Sequence, residues 1–594
     1  MPVERIGFAL LLTVLAQSLS SAQPWKGYSI LGNGHLAVVY SDDSRISSLT
    51  HQQGIQHLYF KDYTADYVAS TSFGLAGAPE TGMKNFFTAG KRVLCFVHPD
   101  DAVVLKSVSA PYRFEAQLRK DIKTDTALSL TSLRTTGSIA VAAWSNGIAL
   151  AVAPKDPRDK VTVKGSSVFI TGNSSGEVLI VPAMSEPEAL AKLRSLRRDP
   201  DLEATATKYW ESWMNRGVLP KFAPGVKEAA TYLEAYKRNI YCVKAATLNG
   251  QIPADITGQF VTNNMPQLYP RDAMMCARVL LLTGHAEEAK QVIEFWANRK
   301  IPMKSPGEWY ARYDARGKAV DSGSGARFDE PEWDANGYFI YLLTKYHESQ
   351  GVWLADRALI YQLADFLVHH IGQNGLLEEG GIVEWTGYLP ATNMICSAAL
   401  QTAAKLAHEF GDQARSESYG AASRKIAASL PEMFDQSRQT YADVRFTSKK
   451  GPNGESLPGQ FGEKSYLWDT TANAGVIWGY PKHREIELSN IFYDKNTVKL
   501  GGGMQYFDTT DPGLAEYGHA VFFFTTAYAS QYQSLHGDRA KAKAFIDWML
   551  RHANSYGLMP ERILPDGSDC SPASPLSWCS AEFAAALLLW SSAR

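Results

Sequence analysis

Short runs of alternating or apolar residues, separated by Gly, Asp, Asn and Pro, fill the chain from about residue 32 to residue 184. A period of two is typical of half-buried β-strands, and turn residues at this spacing favour antiparallel pairing. The clearest predicted strands cover residues 35–40, 103–108, 127–133, 139–144, 161–170 and 177–181. The pattern therefore predicts an antiparallel β-sandwich domain over residues 23–185.

The pattern changes at residue 186. Residues 186–224 are charged and carry Leu and Trp at helical spacing, which indicates a helical linker that packs one face on a neighbour. Apolar residues then recur at helical spacing through residues 225–594. Predicted helices cover residues 226–247, 271–283, 286–299, 332–348, 354–371, 393–410, 413–430, 467–478, 518–535, 539–552 and 577–592.

These helices occur in consecutive pairs, joined by long Gly-rich loops such as residues 446–464. Pairs of this kind over so long a stretch favour a closed ring of inner and outer helices over a four-helix bundle. We found no short sequence repeat that would indicate a solenoid. The predicted fold class is therefore mainly α: an (α/α)6 toroid over residues 225–594, preceded by the antiparallel β-sandwich.

Residues 1–22 have the pattern of an export signal: Arg5, an apolar run over residues 6–16, and small residues before residue 23. A retained signal anchor is the alternative, although the apolar run is short for one. Later segments do not approach membrane-spanning length. We expect a periplasmic or secreted protein that has no membrane partner once the signal is removed.

Charge and cysteine usage narrow the possible partners. The chain has 59 basic and 61 acidic side chains and a formal net charge of −2, so no strong field would gather nucleic acid or anionic membrane. The six cysteines lack metal-ligand spacing. Cys570 and Cys579 flank a Pro-rich loop and could form a disulfide, although sequence alone does not show that they meet. The sequence predicts a neutral partner and no metal site.

The first candidate cluster opens a predicted helix at Tyr269, Pro270, Arg271 and Asp272. An Arg beside an Asp offers a donor fork and an acceptor that together suit sugar hydroxyl groups. The alternative is structural: an ion pair and a carboxylate favoured by the helix dipole. Both interpretations stay open at this point.

The second cluster lies in a Gly-rich loop, where Glu384 stands between Val383 and Trp385. Apolar surroundings raise the pKa of a carboxyl group, so Glu384 is a candidate proton donor near neutral pH. Glu378 and Glu379 precede it in the same loop, and we expect them to be solvated, as loop carboxylates commonly are.

The third cluster contains Glu561, which follows Pro560 on a loop between two predicted helices, with Trp578 downstream. Pro560 restricts the backbone and so fixes the position of Glu561. The alternative is an ion pair between Glu561 and the adjacent Arg562. Inverting hydrolysis of a glycoside needs two carboxyl groups about 6.5–9.5 Å apart, with a water between one of them and the sugar. Glu384 and Glu561 can meet this need if a ring of helices brings their loops to one end.

In this order, the clusters resemble motifs of the glucoamylase-like enzymes of glycoside hydrolase family 15 over roughly residues 186–594. Residues 269–272 are similar to the family's W-P-R-D segment, which implies that Arg271 and Asp272 hold the sugar at the bond-cleaving subsite. Residues 309–314 and 328–330 resemble the next loop and a D-E-x segment. The resemblance makes Trp309, Asp329 and Glu330 candidate pocket residues, together with Tyr269, Trp385, Arg562 and Trp578.

The same resemblance assigns the two chemical roles. Residues 374–376 and 382–384 are similar to the W-E segment that carries the general acid, which implies this role for Glu384. Residues 557–561, with residues 575–578 downstream, are similar to the G-L-L-P-E-Q and P-L-A-W-S-H-A-E series, which implies that Glu561 is the general base. Prokaryotic members carry a β-sandwich before an (α/α)6 barrel. Phosphorolytic relatives use phosphate in place of the second carboxylate, so Glu561 favours hydrolysis.

Departures from the motifs leave the substrate open. Val383 replaces the Trp that precedes the acid, Arg562 replaces the Gln beside the base, and residues 504–508 lack the family's Arg-Tyr pair. We expect an oligosaccharide or polysaccharide substrate, with an α-glucoside as the default and glucose released by exo action. The chemistry requires no cofactor, and the sequence leaves the oligomeric state undetermined.

Other functions on similar folds remain as alternatives. These are a hydrolase or glycosyltransferring enzyme acting on another sugar, a polysaccharide lyase, and a glycan-binding protein without catalysis. A lyase would need basic residues to neutralise a uronate, and the sequence has almost no basic clusters. Retention of both candidate carboxyl groups argues against a protein that only binds.

Overall fold

The computed structural model of the chain describes residues 24–46, 54–74, 80–122, 127–298, 301–321, 331–379, 387–450, 452–453, 456–509 and 515–592. The predicted export signal and four predicted site residues lie outside the described residues; the four are Asp329, Glu330, Glu384 and Trp385. In the described part of the chain, no helix combines the length and apolar character needed to cross a membrane.

The N-terminal part is rich in β-sheet, as the sequence predicts. Its strands are β1 Ser29–Gly32, β2 Leu36–Ser41, β3 Gly54–Phe60, β4 Val68–Phe73, β5 Val93–His98, β6 Ala102–Ser107, β7 Tyr112–Leu118, β8 Asp121–Ile122, β9 Leu128–Thr136, β10 Ile139–Trp144, β11 Ala149–Pro154, β12 Lys160–Lys164, β13 Ser167–Gly172 and β14 Glu177–Ala183. They form three antiparallel sheets in the orders β1-β2-β3, β5-β6-β14-β11-β10-β9-β8 and β12-β13-β7-β4. Strands of the four-stranded sheet contact strands of the seven-stranded sheet.

One predicted strand is wrong. Residues 161–170 form the hairpin of β12 and β13, not a single strand, with Val163 paired to Val168. The turn contains Gly165 at a φ of +64°, a left-handed conformation that favours glycine. Apolar residues alternate on both sides of this turn, which is why the pattern looked continuous.

The rest of the chain is mainly helical. Its helices are α1 Glu186–Arg198, α2 Leu202–Arg216, α3 Ala229–Ala245, α4 Pro270–Leu282, α5 Ala286–Ala297, α6 Asp334–Gln350, α7 Arg357–His370, α8 Pro390–Glu409, α9 Gln413–Ser429, α10 Ala472–Ile477, α11 Arg484–Asn496, α12 Ala515–His519, α13 Phe523–His536, α14 Arg539–Arg551 and α15 Ser577–Ser592. Helices α4, α6, α8, α10, α13 and α15 contact one another in this order, and α15 contacts α4, which closes a ring. Helices α5, α7, α9 and α14 each contact the ring helix before them, and α3 contacts α15.

In the helical part of the chain, helix α11 and one β-hairpin were not predicted from the sequence pattern. Helix α11 was not predicted because its buried face includes the polar residues Ser489 and Asn490 beside Ile486 and Tyr493. The predicted loop at residues 446–464 is a hairpin, formed by strands Thr440–Lys450 and Ser456–Trp468. The predicted helix at residues 518–535 is interrupted, since a short strand, Val521–Phe522, separates α12 from α13.

The cysteines are free thiols, so Cys570 and Cys579 do not form a disulfide. Each thiol lies against a different backbone carbonyl. Cys570 Sγ is 3.6 Å from the oxygen of Lys26, and Cys579 Sγ is 3.8 Å from the oxygen of Glu561. The two side chains therefore contact separate parts of the fold.

Polar and aromatic side chains fill the interior of the helix ring. Arg278 of α4 contacts Glu582 of α15 at 3.1 Å and donates to Gln531 of α13 at 2.9 Å. Its guanidinium carbon also lies 5.4 Å from the ring centroid of Trp478, directly after α10. Helix α10 is opposite α4 in the cyclic order, so this contact crosses the ring. Among the described residues, side chains from three ring helices and Trp478 therefore pack together inside the ring at this level.

Replacing Arg278 with Met should destabilise the fold by about 3–5 kcal/mol, because the fully buried carboxyl group of Glu582 would lose its cation. Urea unfolding followed by Trp fluorescence measures the loss. Replacing Glu582 with Leu in the same protein should recover part of it, since both charges are then absent.

The matched control is Arg158→Met, whose guanidinium pairs with Asp156 while 88% of its side chain is exposed. We expect no measurable change in its unfolding midpoint, because solvent screens such a pair. An Arg278→Met protein as stable as this control would contradict the role of the buried ion pair.

Candidate functional site

The first turn of α4 supplies the predicted residues Arg271 and Asp272. Tyr269 is the N-cap with an extended φ of −111°, and Pro270 follows in the first turn, where a missing N–H costs nothing. Arg271 and Asp272 then lie in the first helical turn and are both buried. This turn is at the end of the ring where the ring helices begin, which we call the mouth.

Arg271 is surrounded by three carboxyl groups. Its Nε is 2.6 Å from Asp334 Oδ2, and its Nη2 is 3.1 Å from both Asp334 Oδ1 and Glu379 Oε1. Its Nη1 is 3.2 Å from Glu332 Oε2, and Glu332 also pairs with Arg312 at 3.2 Å. Burial opposes the charge of Arg271, but the charges of Asp334, Glu332 and Glu379 hold its pKa well above the ordinary value. The cation therefore remains charged in the buried site.

Our expectation that Glu379 is solvated is wrong. Its side chain is fully buried, and it accepts hydrogen bonds from the Asp334 amide and the Thr392 hydroxyl, each at 3.2 Å. Burial raises the pKa of Glu379 well above its ordinary value, and the charge of Asp334 raises it further, while Arg271 lowers it. The long-range partner Arg271 makes this burial possible, and a local sequence pattern does not reveal such a partner.

Glu379 also closes the base of the loop that contains Glu384. Its amide donates to the Gly387 oxygen at 2.7 Å, and the Gly387 amide donates back at 2.8 Å. Tyr388 continues this pairing with Val444. Glu379 and Gly387, which flank residues 380–386 in the sequence, are therefore paired to each other, and Glu379 also contacts Arg271.

Backbone contacts hold Glu561 between the starts of two ring helices. Its amide donates to Ala573 at 2.9 Å, and its carbonyl accepts from the amide of Phe523, the first residue of α13, at 3.1 Å. The thiol of Cys579, in the first turn of α15, lies against the same carbonyl. The side chain forms an ion pair with Arg562, so the ion pair named as the structural alternative for Glu561 does occur.

Asp272 lies in the first turn of α4, and Glu561 lies beside the first turn of α15, the ring helix that contacts α4. Burial raises the pKa of Asp272 to about 7, and the negative charges of Glu332 and Glu561 add to this rise, whereas Arg271 opposes it. Arg271, Asp272, Glu379 and Glu561 are thus part of one electrostatic site at the mouth.

The N-terminal segment contacts the loop that carries Glu561. Trp25 donates to Ala553 at 3.2 Å and accepts from Ser555 at 2.7 Å, and the Tyr28 amide donates to Ser574 at 2.7 Å. The hydroxyl of Tyr556 forms a short hydrogen bond to the buried carboxyl group of Asp42. The N-terminal part therefore helps to fix this loop.

Of the aromatic residues predicted to line the pocket, two lie near the mouth and one does not. Tyr269 lies beneath the guanidinium of Arg312, at 5.6 Å, and Trp578 stacks on Phe524 at 4.3 Å, next to Cys579. Trp309 instead packs against Trp296 and Phe339. Tyr269 and Trp578 are near the mouth, whereas Trp309 is part of the apolar core.

Several polar residues of the site were not among the predicted site residues: Gln259, Arg312, Glu332, Asp334 and Glu379, of which Glu379 was expected to be solvated. They contact Arg271, Glu332 or Glu561 through side chains from distant parts of the chain. Glu332 and Asp334 lie at the start of the helix predicted over residues 332–348, which was the local signal available for these two residues. Over the described residues, no group of three or more His, Cys, Asp or Glu side chains is arranged to hold a metal ion.

The Asp272→Asn protein should become more stable relative to the wild type as the pH rises. Asp272 has a folded-state pKa of about 7 against an ordinary value of 3.8, so the folded protein binds this proton more tightly than the unfolded chain. Below about pH 4 this tighter proton binding contributes up to about 4 kcal/mol to the free energy of unfolding of the wild type. The contribution is lost as the pH rises to about 7. Urea unfolding of both proteins from pH 5 to pH 8 measures the difference.

The control for this experiment is Asp566→Asn, in an exposed loop. Hydrogen bonds from Ser568 lower the pKa of Asp566, so its replacement should not gain relative stability at high pH. If the difference in free energy of unfolding between Asp272→Asn and wild type does not change across this pH range, burial does not raise the pKa of Asp272.

No protein-family model and no curated protein matches the chain. Among solved structures, a wild-type glycosidase has a TM-score of 0.46 at 16% identity, covering 62% of this chain and 98% of its own. A glucoamylase from Saccharomycopsis fibuligera has a TM-score of 0.44 at 12% identity, covering 66% and 96%. A bacterial glucoamylase complexed with acarbose has a TM-score of 0.68 at 13% identity, covering 97% of this chain and 96% of that chain. The chain therefore has the fold of this bacterial glucoamylase over nearly its whole length.

Proposed function

We propose that this protein is an exported, inverting, exo-acting glycoside hydrolase that releases glucose from α-glucosides. The observation that carries the proposal is the placement of Asp272 in the first turn of α4 and of Glu561 beside the first turn of the adjoining ring helix α15, in a fold shared with a bacterial glucoamylase. The cyclic contacts of the ring helices support an (α/α)6 toroid, and residues 225–594 are the proposed catalytic domain.

In the proposed reaction, Glu384 donates its proton to the glycosidic oxygen as the bond to the anomeric carbon breaks. A water molecule attacks that carbon from the opposite face while Glu561 accepts its proton. Charge is conserved, because one carboxyl group loses the proton that the other gains. The motif resemblance supports the role of Glu384, and the contact between Glu379 and Arg271 supports a position of its loop near the mouth.

Asp272 is the proposed contact for hydroxyl groups of the non-reducing sugar. With a pKa near 7, its carboxyl group is partly protonated at neutral pH and can both donate and accept hydrogen bonds. Arg271 is already bonded to three carboxyl groups, so its proposed part is to hold Glu379 and Asp334 in place.

The packed interior below the mouth supports exo action. Arg278, Gln531, Glu582 and Trp478 occupy the space between ring helices two turns below Arg271 and Asp272. A polysaccharide therefore has no path through the ring, and a chain end is the part of the substrate that fits. The neighbouring glucoamylase was solved with acarbose, which supports a saccharide ligand.

Replacing Glu384 or Glu561 with Gln should each lower kcat on the order of 100-fold to 10,000-fold, because each variant loses one proton transfer. Steady-state kinetics on the best substrate measures the loss. The control is Glu234→Gln, an exposed carboxylate on α3 that pairs with Arg238 and should retain wild-type turnover. Near-normal kcat in either active-site variant would remove that residue from its role.

The product should appear first as the β-anomer of glucose when the substrate is an α-glucoside, because water attacks the face opposite the leaving group. Maltose, isomaltose, trehalose, nigerose and aryl glycosides form the substrate panel, and proton NMR follows the anomer before it mutarotates. Release of the α-anomer would contradict inversion, and absence of turnover on the whole panel would contradict the assigned substrate class.

A further inference from the structure

Gln259 bonds to the proposed general base. Its side-chain Nε2 donates to Glu561 Oε2 at 3.2 Å, and its Oε1 accepts from the Ala573 amide at 3.0 Å. The Ala573 carbonyl in turn accepts from the Glu561 amide at 2.9 Å. The Gln259 amide therefore connects the carboxylate of Glu561 to the backbone segment that holds Glu561.

A buried carboxyl group fixes the backbone of Gln259. Asp255 accepts hydrogen bonds from the amides of Thr257, Gly258 and Gln259 at 2.7, 3.0 and 2.7 Å. Gly258 has a φ of +116°, a left-handed conformation that lets the chain turn around the carboxyl group. Because Asp255 is fully buried, this turn is part of the packed fold and places Gln259 beside Glu561.

The two carboxylate oxygens of Glu561 have different surroundings. Oε2 accepts from Gln259 and also contacts Arg562 Nη1, whereas Oε1 accepts from no residue that the structure describes. An oxygen with two donors is a poorer proton acceptor than one without, since its lone pairs are already engaged.

On the basis of the proposed function, we infer that Gln259 is a positioning residue that assigns the two oxygens different tasks. Gln259 and Arg562 engage Oε2, and Oε1 takes the proton from the attacking water. The oxygen of that water then bonds to the anomeric carbon as the glycosidic bond breaks, and Glu384 supplies the proton to the leaving oxygen.

Donors to a carboxylate favour its charged form. Removing the Gln259 amide should therefore move the acidic limb of the kcat/KM profile to higher pH, because the base would hold its proton more tightly. Gln259→Ala should lower kcat about 10-fold to 100-fold, the effect of losing one hydrogen bond to a charged group. KM should stay within about twofold, since Gln259 is not proposed to contact the sugar.

Gln259→Glu should produce a larger shift of the acidic limb than Gln259→Ala, because it places a second negative charge beside Glu561. The test uses the full-length protein and the best disaccharide of the panel. The control is Gln413→Ala, an exposed glutamine in the first turn of α9, which should reproduce the wild-type profile. Thermal midpoints identify any variant that is merely unfolded.

The outcomes separate this inference from the proposed function. If Glu561→Gln is inactive but both Gln259 variants keep the wild-type acidic limb, the inference is wrong and the general base stands. If Gln259→Ala lowers kcat without moving the limb, its role is structural and the inference is again wrong. If Glu561→Gln retains turnover, the proposed function itself fails.

Discussion

The guanidinium group of Arg271 lies where three parts of the chain meet, and its charge determines their arrangement. It contacts the segment before α6, the first residue of α6 and the base of the loop that contains Glu384. A buried cation needs such partners, because the cost of removing it from water is several kcal/mol. Arg271 therefore ties Glu332, Asp334 and Glu379 to the start of α4.

The mouth contains more carboxyl groups than cations among the described residues. The starts of α4, α6, α8, α13 and α15 lie there, and each helix start carries a partial positive charge of roughly half a unit. These dipoles partly offset the excess negative charge, and protonation offsets the rest, which is consistent with the raised pKa values of Asp272, Glu332 and Glu379. Burial that raises the pKa of a carboxyl group is therefore a feature shared by several residues of the site.

The sequence was informative where local chemistry decides the structure. Apolar periodicity predicts most helices, and the predicted helix start near Pro270 agrees with the observed one, which has Arg271 and Asp272 in its first turn. The sequence was not informative where a contact with a residue far away in the chain determines the position of a side chain. Glu379 has the local pattern of a solvated carboxylate and is buried only because Arg271 reaches it, and Gln259 meets Glu561 through a turn around Asp255. The hairpin after residue 440 was missed because its Gly-rich pattern is typical of loops.

The contacts of Trp25, Tyr28 and Asp42 with residues 553–574 join parts of the chain separated by more than 500 positions. Contacts at such sequence separation form late in folding, because the entropy of closing so long a loop must first be overcome. The segment that carries Glu561 would thus reach its final geometry only after residues 25–42 have packed against residues 553–574. A partly folded chain would then contain the buried start of α4, with Arg271 and Asp272, before Glu561 has reached its final position.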